Sequence, residues 1–196
     1  MSDLVIVPTG TANLASVAAA FRRLDAEPVV TADPLRIRLA RHVMLPGVGT
    51  LGASMRALVE TGADEALRQR IFEDRPTMAI CVGHQILFET SDESPDVRGL
   101  GVVPGHVGGF PENVRVPQFG WNEVEAGEDC DLLDSGYAYF ANSFRAVAAP
   151  GWKVATAEHG GTYVAAMEQG NVIGCQFHPE LSGDYGAALL SRWLSL

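Results

Sequence analysis

The sequence has few cysteines and few basic residues for its length. Its three cysteines, at positions 81, 130 and 175, form no C-x-x-C pair, so neither a disulfide framework nor a zinc site is expected and a reducing compartment is predicted. Fourteen Lys and Arg stand against 24 Asp and Glu, which gives a net charge of -10. Because polyanion recognition depends on clustered basic side chains, we do not expect a nucleic-acid partner.

Long apolar runs are missing as well. No stretch approaches the roughly 20 apolar residues that cross a bilayer. The first residues, MSDLVIVP, lack the basic start and the cleavage site of a signal peptide. We therefore expect a cytoplasmic protein with no membrane partner. Apolar residues (47%) and 21 glycines are abundant, and 196 residues fit one globular domain, residues 1–196.

The first ninety residues alternate between β-prone runs and helical segments. Strands are predicted at residues 4–7, 28–31, 42–45 and 77–80. Helices or helical turns are predicted between them, at residues 14–24, 34–40, 51–60 and 64–74. The break between the last two is placed at Gly62, because glycine disfavours a helix interior. Such alternation is typical of parallel strands joined by helical crossovers, so it predicts an α/β fold.

Beyond residue 88 the pattern changes. The chain becomes rich in Gly and Pro, with short β-prone runs at residues 120–124, 137–140, 154–157, 163–167 and 172–176. These runs favour antiparallel additions to the sheet. A last amphipathic segment, residues 185–194, predicts a helix that packs back onto the sheet.

A reactive cysteine is indicated where the fourth predicted strand ends. Residues 78–85 (MAICVGHQ) run from an apolar strand through small residues into a helix, which is the layout of a nucleophile elbow. Cys81 would stand at the bend, where the N–H groups of the following helix favour a thiolate. Gly83 would let the helix approach the strand closely. Taken alone, Cys81 fits a buried core cysteine better than a nucleophile, because free cysteines are among the most buried residues.

A base and its orienting carboxylate lie in residues 176–180 (QFHPE). Pro179 disfavours helical geometry at His178. In an extended segment residues i and i+2 point the same way, so Glu180 is expected beside the His178 ring, where it fixes the tautomer. With Cys81, these residues complete a nucleophile, base and orienter. Such a triad would attack a carboxamide, release ammonia and leave a thioester for water to cleave.

The tetrahedral stages of this reaction need donors for an oxyanion. The backbone N–H of Val82 is one candidate. Residues 46–49 (PGVG) follow the third predicted strand, and the glycines allow the N–H groups of Val48 and Gly49 to turn toward a neighbouring strand end. A lone P-G-x-G is an ordinary turn, so this expectation depends on the presence of the triad.

The three motifs, residues 46–49, 79–85 and 176–180, resemble in order and spacing the class I (triad) glutamine amidotransferases. Residues 116–122 (VPQFGWN) and 139–144 (YFANSF) resemble more narrowly the glutaminase subunit of imidazole glycerol phosphate synthase. The resemblance implies a flavodoxin-like three-layer sandwich, with helices on both faces of a mostly parallel sheet and no cofactor or metal. It also implies that glutamine is hydrolysed and that ammonia passes to a (β/α)8-barrel cyclase, bound as a heterodimer, in histidine biosynthesis.

The same resemblance implies roles for residues outside the triad. Positions that would contact the substrate are Gly47, Gln85, Glu93, Ser143 and Phe144. Positions that would face the partner are Asn13, Trp121, Tyr139 and Leu181.

Several residues depart from the pattern of this subunit family. Gln118 and Asn142 stand where histidines are usual, and Phe144 replaces a tyrosine. Leu181 follows the H-P-E motif where Lys or Arg usually pairs with the cyclase, which suggests an altered docking surface. His84 replaces a methionine, and its position three residues after Cys81 does not make it the expected base.

Other positions receive a structural interpretation. Ala79 replaces the usual glycine before the nucleophile, which is a small change. Cys175 lies in a β-prone run and is expected in the core, and Cys130 has no context that indicates chemistry. The departures leave open a glutaminase for another synthase, such as a paralogous amidino-sugar cyclase or an anthranilate-type enzyme. A catalytically idle binding subunit is a third hypothesis, which the intact triad disfavours.

Overall fold

The computed structural model describes residues 4–10 and 13–196. Residues 1–3, which carry part of the expectation about a signal peptide, and residues 11–12 lie outside these ranges. The strands are β1 (Leu4–Ile6), β2 (Val29–Val30), β3 (His42–Gly47), β4 (Thr77–Cys81), β5 (Phe88–Ser91), β6 (Val103–Gly109), β7 (Gln118–Ala126), β8 (Gly136–Asn142), β9 (Phe144–Ala146), β10 (Lys153–Glu158), β11 (Thr162–Gln169) and β12 (Val172–Cys175). The helices are α1 (Leu14–Arg22), α2 (Pro34–Leu39), α3 (Leu51–Thr61), α4 (Ala63–Phe72), α5 (Val82–Ile86) and α6 (Gly183–Leu194), with a 3-10 turn at Pro179–Leu181.

A large mixed sheet organises the described part of the chain. Its strand order is β2-β1-β3-β4-β12-β11-β10-β7-β8. The first five strands in this order pair in parallel, and the remaining pairs are antiparallel. Strands β3 and β4 are buried along their whole length, as expected for parallel strands covered on both faces. The predicted α/β architecture is confirmed.

Helices flank the sheet and form packed groups. The rings of Phe21 in α1 and Trp193 in α6 lie 6.0 Å apart, so these two helices cover the sheet together. Helix α4 packs against α2 and α3, and α5 packs onto α3, β3 and β4. Gly62 separates α3 from α4 with a left-handed φ of 73°, which confirms the predicted break. Within the described residues, no helix combines the length and the apolar character needed to cross a bilayer.

The prediction for residues 172–176 was wrong in one respect. Strand β12 is not a peripheral antiparallel addition, because it lies between β4 and β11 and pairs in parallel with β4. Its pairing with β11 is antiparallel, as predicted. The chain reverses between Gln169 and Val172, so β12 returns in the direction of β4 and inserts its four buried residues into the middle of the sheet. The other predicted antiparallel runs are confirmed in β7, β8, β10 and β11.

The sequence did not predict a smaller sheet in the order β5-β6-β9. Strand β6 contains Gly105, Gly108 and Gly109, which give no alternating pattern and weaken strand propensity. This sheet supports the segment that carries Glu93.

Candidate active site

Cys81 occupies a sharp bend between β4 and α5. Its φ of 55° and ψ of -112° belong to a region that residues other than glycine rarely adopt. Strain of this kind is typical of a nucleophile at a strand-to-helix turn. The turn requires a glycine at position 83, because a Cβ there would overlap the carbonyl oxygen of Leu45 in β3. The predicted elbow geometry is therefore present.

Strand β12 brings His178 to the same end of the sheet. In the parallel register Cys175 lies opposite Ile80, so the residues after β12 reach the level of Cys81. The N–H of His178 donates to the carbonyl of Tyr139 in β8 (2.9 Å). The side chains of His178 and Cys81 line one cavity, where Cys81 raises the pKa of His178, and Nδ1 of His178 lies 2.8 Å from Oε1 of Glu180. The structure thus brings the three proposed triad residues together.

The contact between His178 and Glu180 arises from a turn and not from the extended geometry expected. Residues Pro179–Leu181 form the 3-10 turn, in which the Leu181 N–H donates to the His178 carbonyl (3.0 Å). Proline suits the first position of such a turn because its φ is already fixed there. The turn folds the Glu180 side chain back onto the ring, where it is 6% exposed.

Burial and charge act in opposite directions on the His178 ring. Burial lowers the pKa of His178, whereas hydrogen bonds and charge interactions with Cys81 and Glu180 raise it, and the net effect is an increase from 6.5 to about 10. The His178 ring therefore holds a proton more readily than a free imidazole does. A group in this state can deliver that proton to a leaving amine.

We expect the pKa of His178 to fall when Glu180 is replaced by glutamine, which removes a charge and a hydrogen-bond acceptor. Because the folded pKa lies above 6.5, protonated His178 stabilises the native state fully below pH 6.5 and this contribution is lost as pH rises through about 10. NMR titration of the His178 ring measures the change in its pKa. Chemical denaturation across pH 6.5 to 10 measures the change in stability. An exposed Glu60→Gln variant is the control, and an unchanged His178 midpoint in Glu180→Gln would contradict the assignment.

A cavity of about 280 Å³ opens beside Cys81. This volume lies near the lower end of the range for small-molecule sites and fits a small substrate. Of the residues expected to bind substrate or oxyanion, all but Gly47 line it. The lining residues are Val48, Gly49, Cys81, Val82, Gln85, Glu93, Ala141, Asn142, Ser143, Phe144 and His178.

Gly47 lies behind the elbow, where it is paired with Cys81 in the β3–β4 register. A Cβ at position 47 would lie 2.6 Å from the backbone nitrogen of Gly83 and 2.8 Å from the Cβ of Val82. Neither separation is sterically allowed. Glycine at this position therefore lets the loop of Val48 and Gly49 approach the elbow.

The amide of Gln85 is hydrogen-bonded to the protein. Its Nε2 donates to the Phe144 carbonyl (3.1 Å) and to Oε1 of Gln176 (2.9 Å). The Phe144 carbonyl also accepts from Nδ2 of Asn142 (3.0 Å). Because a carbonyl oxygen has two lone pairs, this one is fully used. Gln85 consequently shapes the cavity wall through its Nε2, and the Phe144 carbonyl is not available to a substrate.

Glu93 links the smaller sheet to the start of α3. Its Oε2 accepts from the Leu51 N–H at the start of α3 (2.6 Å), and Oγ of Ser94 accepts from the Gly52 N–H (3.1 Å). A carboxylate is favoured at a helix N-terminus. Glu93 also lines the cavity that contains Cys81.

An aromatic patch formed by Phe119, Trp121 and Tyr139 lies next to the site. Phe119 is 72% exposed and Trp121 is 58% exposed. The Tyr139 ring meets both edge-on, with centroids 5.7 Å and 6.1 Å away. Phe119 was not singled out from the sequence, because one apolar residue in a β-prone run carries no indication of the face it lies on.

A second cavity, of about 260 Å³, connects this patch with the triad. It shares His178 and Val48 with the first cavity. Asn13 and Leu181 also line it, and Asn13 caps α1 by accepting from the Ser16 N–H (3.3 Å). The four residues expected to face a partner therefore lie at or beside one end of the sheet.

Three of the residues that depart from the family pattern, Gln118, Asn142 and His84, are buried. Gln118 and Asn142 lie opposite each other in the β7–β8 register, and Tyr163 donates to Oε1 of Gln118 (2.8 Å). His84 is fully buried, packs edge-on against Phe88 and has its pKa lowered to about 3 by burial. His84 does not line the Cys81 cavity, so the geometry gives it no access to the nucleophile.

The two remaining cysteines differ in environment. Cys175 is fully buried, as expected for a core residue, and burial raises the pKa of its thiol. Cys130 is partly buried, and its Sγ lies 3.6 Å from the Val154 carbonyl, to which it donates. Neither lies in the cavity with His178.

Comparison with known proteins agrees with this geometry. The family model for class-I glutamine amidotransferases matches residues 10–194. The chain belongs to this family. It is 43% identical to the HisH subunit of imidazole glycerol phosphate synthase from Cutibacterium acnes, over 100% of this chain and 98% of that protein. The HisH subunit of Methanothermobacter thermautotrophicus is 38% identical, over 98% of each chain.

This amidotransferase also matches a longer relative and more distant structures. The chloroplastic hisHF protein of Arabidopsis thaliana is 37% identical over 98% of this chain, which spans about a third (34%) of that protein. A crystal structure of a glutamine amidotransferase has a TM-score of 0.78 at 22% identity and covers 97% of each chain. PurLQS from Thermotoga maritima has a TM-score of 0.74 at 16% identity, over 100% of this chain and 99% of that one. At these identities the structures support the fold alone.

Proposed function

We propose that this amidotransferase is the glutaminase subunit of an imidazole glycerol phosphate synthase, and that residues 1–196 form one amidotransferase domain. The observation that carries the proposal is the strained Cys81 elbow, which lines one cavity with His178, and the Glu180 carboxylate 2.8 Å from the His178 ring. Identities of 38% and 43% to HisH subunits over nearly the whole chain support this synthase over an amidino-sugar or anthranilate-type enzyme.

The geometry supports a two-stage hydrolysis of glutamine. His178 takes the thiol proton of Cys81, and the sulfur attacks the carboxamide carbon. The negative charge moves to the amide oxygen, for which the N–H groups of Val82, Val48 or Gly49 are the proposed donors. The intermediate collapses when the imidazolium protonates the nitrogen, which leaves as ammonia. Water, deprotonated by His178, then cleaves the thioester and releases glutamate.

Binding of the substrate is proposed to depend on the charged and amide groups of the cavity. The carboxylate of Glu93 would attract the α-ammonium group of glutamine, since it lines the cavity that contains Cys81. Ser143 lines the same cavity, next to Phe144, whose carbonyl accepts from Gln85. Bound in this way, the substrate would present its carboxamide carbon to the sulfur.

The partner is proposed to be a (β/α)8-barrel cyclase that docks on the aromatic patch to form a heterodimer. Exposed aromatic groups are typical anchors of protein interfaces. Leu181, 45% exposed, lines the second cavity with Phe119 and Tyr139, so docking here would depend on apolar contact at a position where the family resemblance implies a basic residue. The second cavity lies between the triad and the patch and would pass ammonia toward the cyclase. A cytoplasmic location is part of this proposal.

Complementation tests the choice of synthase. We expect the wild-type chain, expressed with its own cyclase, to restore growth of a bacterial histidine auxotroph that lacks both subunits, on medium low in ammonium. A Cys130→Ala variant is the matched control and should also restore growth, because Cys130 lies outside the cavity. Failure of the wild-type pair, together with rescue of a strain lacking the anthranilate glutaminase, would favour the alternative partner.

A further inference from the structure

The side chain of Gln176 lies against the nucleophile. Gln176 is fully buried, and its Nε2 lies 3.8 Å from Sγ of Cys81, within the range of an N–H···S hydrogen bond. Its position follows from the sheet, because Cys175 pairs with Ile80 in the parallel β12–β4 register and the next residue is therefore level with Cys81. The Gln176 N–H donates to the Ala165 carbonyl (2.8 Å) and anchors the backbone.

Neighbouring groups fix which end of the Gln176 amide faces the sulfur. The Phe144 carbonyl can only accept, so Gln85 must present its NH₂ group to it (3.1 Å). The same Nε2 donates to Gln176 (2.9 Å), which must therefore present its oxygen to Gln85. The NH₂ group of Gln176 is left to point at Cys81. The Phe144 carbonyl thus sets the orientation of the Gln85 amide, which in turn sets the orientation of the Gln176 amide.

We propose that Gln176 is a further catalytic residue, which donates an N–H to the Cys81 sulfur and stabilises the thiolate after His178 has taken the proton. An N–H donor favours an anionic sulfur over a neutral thiol, since hydrogen bonds to charged groups are the stronger ones. The site is buried, which increases the effect. The effect of Gln176 on turnover rests on the proposed glutaminase function. Its contact with the Cys81 sulfur does not, because it is present in this chain without substrate or partner.

The network also connects the nucleophile to the cavity wall. Gln176 binds Gln85, which with Asn142 holds the Phe144 carbonyl. Displacement of the wall that contains Ser143 would therefore shift the amide that faces Cys81. The amides of Gln85 and Gln176 therefore fix the distance between the Cys81 sulfur and the cavity wall that contains Ser143.

A Gln176→Glu substitution tests the proposal. It preserves the size of the side chain and an oxygen for Gln85 but replaces the donor with a carboxylate oxygen. We expect the pH profile for alkylation of Cys81 by iodoacetamide, followed by mass spectrometry of the peptide that contains Cys81, to move to higher pH by about one unit or more. Glutamine kcat in the complex with the cyclase should fall about tenfold to a hundredfold, as for loss of a hydrogen bond to a charged group, with a smaller change in KM.

Two controls keep the result decisive. Gln169→Glu makes the same change at an exposed position of β11 and should leave the alkylation profile as in the wild type. Gln176→Asn retains an amide but withdraws it from the sulfur, and it replaces the glutamate variant if that chain does not fold. An alkylation profile equal to that of the wild type in a folded Gln176 variant overturns the proposal. Absence of glutaminase activity in the wild-type complex would instead refute the proposed function, since the alkylation assay does not require turnover.

Discussion

Replacing Cys81 with alanine abolishes glutamine-dependent synthesis by the complex and leaves ammonia-dependent synthesis at the wild-type rate. Without a sulfur there is no thioester, and loss of a catalytic nucleophile reduces kcat by about a thousandfold or more in comparable triads. Alanine is smaller than cysteine and meets the same backbone strain at a φ of 55°, so the elbow should persist. The measurement is the rate of product formation by the purified complex with either glutamine or an ammonium salt.

A Cys130→Ala variant serves as the control in the same assay. It removes a thiol that lies away from His178 and should retain both activities. Loss of both activities in Cys81→Ala would show that Cys81 is required for folding or docking. Retention of glutamine-dependent synthesis would show that another group is the nucleophile.

Replacing Arg70 with methionine destabilises the chain by about 3 to 5 kcal/mol, because buried backbone carbonyls lose their charged donor at a cost of about 1 to 3 kcal/mol each. The Arg70 guanidinium is fully buried and donates to the Thr77 hydroxyl and to a set of backbone carbonyls. Those carbonyls belong to Ile37, Arg38, Ala40, Arg41 and Pro76. Methionine fills the space but removes a donor from each of these carbonyls. Those of Ala40 and Pro76 keep another donor, Nη2 of Arg75 and the Val43 N–H, so the cost falls on the others.

Urea denaturation measures this effect against a matched variant. Arg56→Met makes the same change on the exposed face of α3 and should alter stability by no more than about 0.5 kcal/mol. Arg70→Lys should recover part of the loss, because an ammonium group offers three donors where guanidinium offers five. Equal stabilities of Arg70→Met and Arg56→Met would refute the structural role of Arg70.

The parts of the site that are local in sequence could be predicted from it. The turn at Cys81 follows from an apolar strand, small residues and a helix within eight positions, and the structure has the bend where the sequence places it. His178 and Glu180 are only two residues apart. Their contact was therefore predicted correctly, although the backbone between them forms a 3-10 turn and not the expected extended segment. Short-range patterns specify such features whatever the strand order.

Features that depend on non-local pairing could not be predicted. The Gln176 side chain reaches Cys81 because β12 pairs in parallel with β4. A β-prone run in the sequence does not show which strands it will pair with. Strand β6 contains three glycines, so it shows no alternation from which the smaller sheet could be inferred. Arg70 stands in a polar helix, where an arginine is ordinarily exposed; only the tertiary structure shows that it is buried.

The most direct test of the account is the mass of the chain during turnover. The complex with the cyclase is mixed with glutamine, quenched in acid and analysed by intact and peptide mass spectrometry, with Cys81→Ala as the blank. A thioester mechanism predicts a γ-glutamyl group on Cys81 in the wild type and none in the variant. Glutamine turnover with the acyl group on another residue, or turnover that persists in the variant, would contradict a thioester mechanism at this elbow.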